Sequence, residues 1–245
     1  MLVRDRMSAP PITVNAKTPI GEARALMQHY DIRRLPVVTG GKLVGIVSWT
    51  DLMRAQPSVA STLNPWEVPV LLRRASVREI MTTDPLTIGP DAPIEAAALI
   101  LRLQKIGGLP VVADGDVVGI ITESDIFEAF LDLTGFRAGG VRVVVDLTDQ
   151  QRALARIAEI AEASGANLTS LAAYPQQSRR LAVLRVASEQ PQRFTEALGS
   201  AGFLVRHVAP VAGAVTGAGS GHPGARLNGG RAVAQGRGRP KGERG

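Results

Sequence analysis

The sequence predicts a mixed α+β (α/β) protein: a βαββα unit given twice, a βαββαβ unit after it, and a disordered basic tail. Three observations predict this. Sliding the chain by 74 positions lays Val3–Leu52 over Val77–Ile126 without a gap, and about 18 of those 50 pairs are identical, the mark of an internal duplication. Each copy contains two short apolar runs across a turn, LPVVTGGKLVGIV in the first and LPVVADGDVVGII in the second, which read as a two-stranded hairpin with Gly-Gly or Asp-Gly at its corner. Beyond Gly135–Gly140 the apolar pattern changes and does not repeat. The boundaries that follow are 1–56 and 77–134 for the repeats, 57–76 for a connection, 141–209 for the third unit and 210–245 for the tail.

Each repeat opens with an extended piece, Pro11–Val14 or Pro85–Ile88. A helix follows at Thr18-Pro19 or Ala92-Pro93, where proline near the first helical position costs little because its missing N–H would be unpaired anyway. Ile20, Ala23, Leu26 and Met27 recur at helical spacing, as do Ile94, Ala97, Ala98 and Leu101. The hairpin comes next, and its second strand leaves through Ser48–Asp51 or Thr122–Asp125 into another helix. Ser124 and Asp125 suit a helix start there, since side-chain oxygens accept from unpaired N–H groups. A unit of about 50 residues has little core of its own, so the copies are expected to pack together. The connection carries Trp66, Val68, Val70, Leu71 and Leu72, and a short helix packed on the pair is expected there.

In the third unit Val141–Val145 reads as a strand and Arg152–Ala163 as a helix stopped by Gly165. Strands at Asn167–Tyr174 and Leu181–Val186, a helix at Gln192–Ser200 and a last strand at Phe203–Val208 complete it. The tail from Pro210 is Gly, Ala, Arg and Pro with almost no large apolar residue, so it cannot bury enough surface to offset its chain entropy.

Composition excludes several classes of function. Cysteine is absent and the three histidines, His29, His207 and His222, are scattered, so neither a thiolate site nor a zinc cluster is expected. No apolar run approaches membrane-spanning length and no leader pattern opens the chain, so a cytoplasmic protein without a membrane anchor is expected. The net charge of +6 is concentrated in the tail, where Arg226, Arg231, Arg237, Arg239, Lys241 and Arg244 face only Glu243. The body is nearly neutral and shows no basic face for nucleic acid. No catalytic grouping or phosphate-binding loop stands out, so no enzyme and no required cofactor are expected.

The twofold pattern resembles the CBS domain pair, or Bateman module: M-x-x-x-P at the start, LPVV in the middle, and G-I-[VI]-[ST]-x-[ST]-D at the end, over about Val3–Leu131. The resemblance implies a non-catalytic regulatory protein that senses an adenosine-containing ligand (AMP, ADP, ATP or S-adenosylmethionine) in the clefts between the copies. It also implies assembly as a homodimer and an unidentified regulated partner. The run D-Q-Q-R-A-L-A-R-I followed by G-A-N-L-T-S-L resembles the ACT domain, which implies a ferredoxin-like βαββαβ fold. Where amino-acid-binding ACT domains carry glycine in the first strand-to-helix turn, Arg152 stands here, and its side chain is expected to fill that space. The domain order is similar to that of acetoin-utilisation regulatory proteins of the AcuB type.

The candidate nucleotide-binding residues fall at the hairpin exits. Ser48 and Thr50 offer hydroxyls and Asp51 a carboxylate suited to both hydroxyls of a ribose, and Thr122, Ser124 and Asp125 repeat the set. The same residues would serve equally as ordinary helix caps. Arg33 and Arg34 fall where the resemblance places phosphate-meeting residues, expected to favour the first site, while Gly107 and Gly108 at the equivalent place would leave the second roomier. Ile12 and Leu86 match positions bordering the adenine. The tail run Gly236-Arg237-Gly238-Arg239-Pro240-Lys241 resembles an AT-hook. The alternative reading is therefore a DNA-associated regulator whose arginines enter a narrow minor groove.

Overall fold

A computed structural model describes residues 1–55 and 75–211. Residues 56–74, with Trp66, and the tail beyond Val211, with its AT-hook-like run, lie outside the described residues; Pro210 and Val211, expected at the start of the tail, instead pair with Val141 and Gly140 at the end of the last strand.

The first repeat runs β1 (Val14–Asn15), α1 (Ile20–His29), β2 (Arg34–Thr39), β3 (Lys42–Ser48) and α2 (Trp49–Arg54). The second runs α3 (Ile94–Gln104), β5 (Gly108–Ala113), β6 (Asp116–Thr122) and α4 (Glu123–Leu133), preceded by β4 (Thr82–Thr83). The hairpin corners lie at Gly40-Gly41, with φ of 58° and 83°, and at Asp114-Gly115, with φ of 51° and 85°. Two consecutive left-handed residues match the twist of the flanking strands, which is why Gly or Asp stands there. In each repeat an opening piece pairs in parallel with the hairpin's first strand: Val14 with Val37, and Ile88 with Val111.

The outer edge of each hairpin is closed by the other repeat. Thr82 of β4 pairs with Ile46 of β3, and Ser8 pairs with Ile120 of β6. The exchange continues outward. Val3 N donates to Ala92 O at 2.9 Å and Val77 N to Thr18 O at 2.8 Å. Val77 is accordingly fully buried in the first repeat's core with Met27, Leu35 and Leu52, and Val3 in the second's with Leu101, Leu109 and Ile121. This exchange accounts for two of the duplicated residues. A Cβ on Gly45 would sit 2.7 Å from Met81 Sδ and one on Gly119 would sit 2.5 Å from Met7 Sδ. Each repeat's methionine therefore lies across the other's glycine.

The third unit is β7 (Gly140–Asp146), α5 (Ala153–Ala163), β8 (Asn167–Gln176), β9 (Arg179–Ala187), α6 (Pro191–Ser200) and β10 (Leu204–Val211). Its sheet order is β10-β7-β9-β8, antiparallel throughout. That order places the two strands joined by α5 on either side of β9, as a split βαβ unit requires. Val143, Val145, Leu184 and Val186 of the sheet meet Ile157, Phe194 and Leu198 of the helices in one aliphatic core. Among the described residues no helix is long and apolar enough to cross a membrane.

Candidate functional site

The two hairpin exits carry the same construction. Ser48 caps α2: its N–H and hydroxyl donate to Asp51 Oδ2 at 2.8 and 2.6 Å, and its Oγ accepts from Asp51 N at 3.3 Å. Thr122 precedes α4 in the same way, donating from N and Oγ1 to Asp125 Oδ2, both at 2.7 Å. The helices thus begin at Trp49 and Glu123, one residue ahead of the starts expected near Thr50-Asp51 and Ser124-Asp125. The aspartates are the third helical residues and close a capping box. A structural role therefore engages one carboxylate oxygen of each aspartate. The other oxygen, Oδ1, has no hydrogen-bond partner among the described residues, and Thr50 and Ser124 stand exposed beside it on the first turn.

The helix starts are also tied back to the strands. Trp49 N donates to Arg33 O at 2.8 Å, and Glu123 N to Gly107 O at 3.3 Å. In the ladders Arg34 lies opposite Ser48, and Gly108 opposite Thr122. These contacts occupy N–H groups at each helix start and leave fewer for an anion than a bare helix end would offer.

The arginines are not where a simple duplication would put them. Arg33 is exposed. The Arg34 side chain reaches into the second repeat and covers Gly107 and Gly108: a Cβ on Gly107 would overlap its guanidinium, and one on Gly108 would sit 2.9 Å from its Cδ. The room expected at Gly107 and Gly108 is filled by Arg34. Burial pushes the Arg34 pKa below the ordinary guanidinium value, with Glu123 opposing, Arg33 adding to the fall and Asp51 opposing.

Ile12 packs, partly buried, on the first repeat's core, whereas its counterpart Leu86 is 50% exposed. A cleft of about 340 Å³ opens beside Leu86, lined by Lys42, Leu43, Asp84, Pro85, Thr87, Val112 and Gly115. Lys42 and Asp116, equivalent in the duplication, approach to 3.8 Å at its rim. Lys42 and Ser48 stand at opposite ends of β3, about 20 Å apart for a strand of this length. The cleft and the capped helix starts are separate features of the surface, and the sequence offered no sign of the first.

A second cleft, of about 530 Å³, lies in the third unit between the β7–α5 turn and the β8–β9 hairpin, with Thr148, Gln150, Gln177, Arg179 and Arg180 in its lining. Arg152 takes the left-handed conformation, φ 52°, that glycine adopts readily. Its side chain is exposed and lies outside the lining, so it does not fill the turn as expected. Among the described residues no cluster of His, Asp and Glu is arranged to hold a metal ion.

The sequence profile of the CBS domain matches residues 3–58 and 77–132. The chain is 34% identical over 133 residues to a CBS domain-containing protein of Dictyostelium discoideum, covering 54% of this chain and 92% of that one. It spans about a fifth of the length of two larger curated relatives, at 21% and 23%. The crystal structure of a putative acetoin utilization protein (AcuB) from Vibrio cholerae is 34% identical with a TM-score of 0.47, covering 56% of this chain and 96% of that one. The CBS domain pair of protein MJ0100, in complex with 5′-methylthioadenosine and S-adenosyl-L-methionine, is 34% identical with a TM-score of 0.45, covering 53% and 95%.

Proposed function

The chain belongs to the family of CBS-domain proteins, and from that premise we propose that it is a non-catalytic regulator whose CBS pair senses an adenosine-containing ligand. The observation that carries this reading is the state of Asp51 and Asp125. Each is held rigid by two hydrogen bonds to one oxygen, so the other oxygen is oriented in advance and available to the hydroxyls of a ribose. Thr50 and Ser124 add hydroxyls on the same turn, and Arg33 and Arg34 supply positive charge for a nucleotide phosphate. Ile12 and Leu86 offer apolar surface to the base.

In this reading the third unit is an ACT-like domain of ferredoxin-like fold, which its strand order supports, and the whole acts in the cytoplasm on an unidentified partner. The protein is a homodimer. Leu99 and Leu103 of α3 and Phe127 and Phe130 of α4 are all more than half exposed, on spacings that place each pair on one helix face. Such a face is usually covered.

Thermal unfolding with AMP, ADP, ATP, S-adenosylmethionine and branched-chain amino acids tests the reading. A ligand selective for the folded state raises stability by about 2.7 kcal/mol at a hundredfold excess over its Kd. An adenosyl compound is expected to raise Tm, and the double variant Asp51→Ala, Asp125→Ala to lose that rise. A rise that survives the double variant, or none with any adenosyl compound, refutes it.

A further inference from the structure

Arg185 is a buried cation without a carboxylate. It is 3% exposed, it lies opposite Arg142 in the β7–β9 ladder, and its Nη1 has no hydrogen-bond partner among the described residues. Burial, and then Arg142, push its pKa below the ordinary guanidinium value. A buried donor without an acceptor costs stability, and such an atom in a folded protein calls for a reason. What the side chain does bind is the end of α4. Its Nε donates to Thr134 O at 2.9 Å, and Ser170 Oγ donates beside it to Leu133 O at 3.1 Å. Gly135 is packed against both, since a Cβ there would sit 3.2 Å from Ser170 Cβ and 3.3 Å from Arg185 Cδ. Among the described residues these two hydrogen bonds join the third unit to the repeats, and none reaches α2.

The docked arrangement is thus held by few bonds and carries a cost of its own, the condition for a contact that opens and closes. Gly135 and Gly139, at φ of 63° and 70°, flank the connection on which it turns. Asp125 stands in the first turn of the same helix, nine residues or about 14 Å from Thr134. A helix orders cooperatively, so a cap on its last carbonyls and a ligand on its first turn favour the same ordered state.

We propose that docking of the third unit controls the second repeat's site, the one at Thr122, Ser124 and Asp125, and not the first, with Arg185 as the positioning residue. The assignment rests on the reading of the CBS pair as an adenosyl sensor and adds to it which site is linked to the third unit. The coupling is reciprocal: docking tightens a ligand at Asp125, and a ligand there holds the third unit on α4. Arg6 also holds α4, through Asp132 at 2.6 Å. Undocking therefore removes one anchor of several, and the effect falls at the lower end of the usual range, about fivefold in affinity.

Two measurements on the full chain test this. The first is calorimetric titration with AMP and with S-adenosylmethionine in two backgrounds, Asp51→Asn to disable the first site and Asp125→Asn to disable the second. Adding Arg185→Ala is expected to weaken binding about fivefold in Asp51→Asn and to leave it unchanged in Asp125→Asn. If Arg185→Ala does not fold, the milder Ser170→Ala, which removes only the bond to Leu133, is expected to act in the same direction. Equal losses in the two backgrounds, a loss confined to the first site, or no loss in either overturns the assignment while the adenosyl reading stands. A wild-type chain that binds neither compound overturns both. The second measurement needs no ligand. Amide hydrogen exchange is expected to rise in Arg185→Ala along α4 as far as Asp125 and to stay unchanged in α2. A rise confined to the last turn of α4 shows that its two ends are not coupled and overturns the assignment independently of binding.

Discussion

Arg185 Nε donates to the main-chain carbonyl of Thr134 at 2.9 Å, joining β9 of the third unit to the C-terminal cap of α4. Arg185 is 3% exposed, and its guanidinium lies 5.4 Å from the centre of the Phe136 ring. Ser170 Oγ adds a bond to Leu133 O at 3.1 Å. The last carbonyls of a helix carry partial negative charge and lack intrahelical partners, so a cation and a hydroxyl suit them. The same helix bears Asp125 at its other end.

Arg185→Ala should cost about 1.5–3 kcal/mol, the range for a hydrogen bond to a charged group. The connection 135–139 should become accessible to protease at the same time. Chemical unfolding followed by limited proteolysis checks both, and an unchanged cleavage pattern would show that the third unit is held by other contacts.

The two cross-repeat glycines should respond differently to relief of their clashes. Gly119→Ala presses chiefly on Met7 Sδ at 2.5 Å, the far end of a flexible side chain, and meets the Ser8 carbonyl at 3.1 Å, whereas at Gly45 the added methyl comes closer to main chain, 2.9 Å from the Thr82 carbonyl. Each substitution should destabilise by about 1–3 kcal/mol. Adding Met7→Ala should recover part of the loss at Gly119, while adding Met81→Ala should recover little at Gly45. Equal recovery in both would contradict the geometry.

Asp146 predicts an acid-sensitive component of stability in the third unit. Thr148 and Arg206 hold its carboxyl well below the usual carboxylate range, through bonds of 3.0 Å from Thr148 N and 2.8 Å from Arg206 Nη2. A carboxyl depressed in the folded state contributes its stabilisation in full above the unfolded value of about 3.9 and loses it as pH falls below that. Tm should therefore fall from about pH 5 downward less steeply in Asp146→Asn than in the wild type. Parallel curves would mean that Asp146 is not the group responsible.

The aspartates of the capping boxes can be separated into cap and ligand roles. Asp51→Asn and Asp125→Asn keep an oxygen acceptor at the helix start, so ligand-free stability should change by less than the roughly 0.5–2 kcal/mol of a lost cap. Adenosyl binding should still weaken, because a neutral amide is a poorer acceptor for ribose hydroxyls. A ligand affinity that tracks only the loss of Tm would assign these residues to the cap alone.

What was legible in the sequence was local or repeated. Asp114-Gly115 and Gly40-Gly41 announce their hairpins because left-handed backbone is a property of the residues themselves. Met7 and Gly119 were legible as a recurring pair but not as partners, since what joins them is an exchange between repeats. The helix starts were misplaced by one residue because Ser48 and Thr50, or Thr122 and Ser124, are equally good caps in isolation, and only the Asp51 and Asp125 contacts decide between them. Arg34 was read as a charge on its own repeat. Its destination depends on the two glycines across the interface, a relation that lies 74 positions away in the chain. Leu86 looked like Ile12 in the alignment of the copies, yet half of it meets solvent.

The reciprocal pairing of Ser8 with Ile120 and of Thr82 with Ile46 has a topological consequence. A lone repeat could complete both its hairpin edge and its core only by trading opening segments with a second identical copy, in an isologous twofold dimer. The tandem chain is the covalent form of that dimer, with the two partners supplied at fixed stoichiometry by one polypeptide. Covalent linkage removes the requirement that both halves carry the same residue at the interface. An arginine facing another arginine at the axis of a true homodimer would repel it, whereas in the linked chain one half can keep the arginine and the other can become glycine.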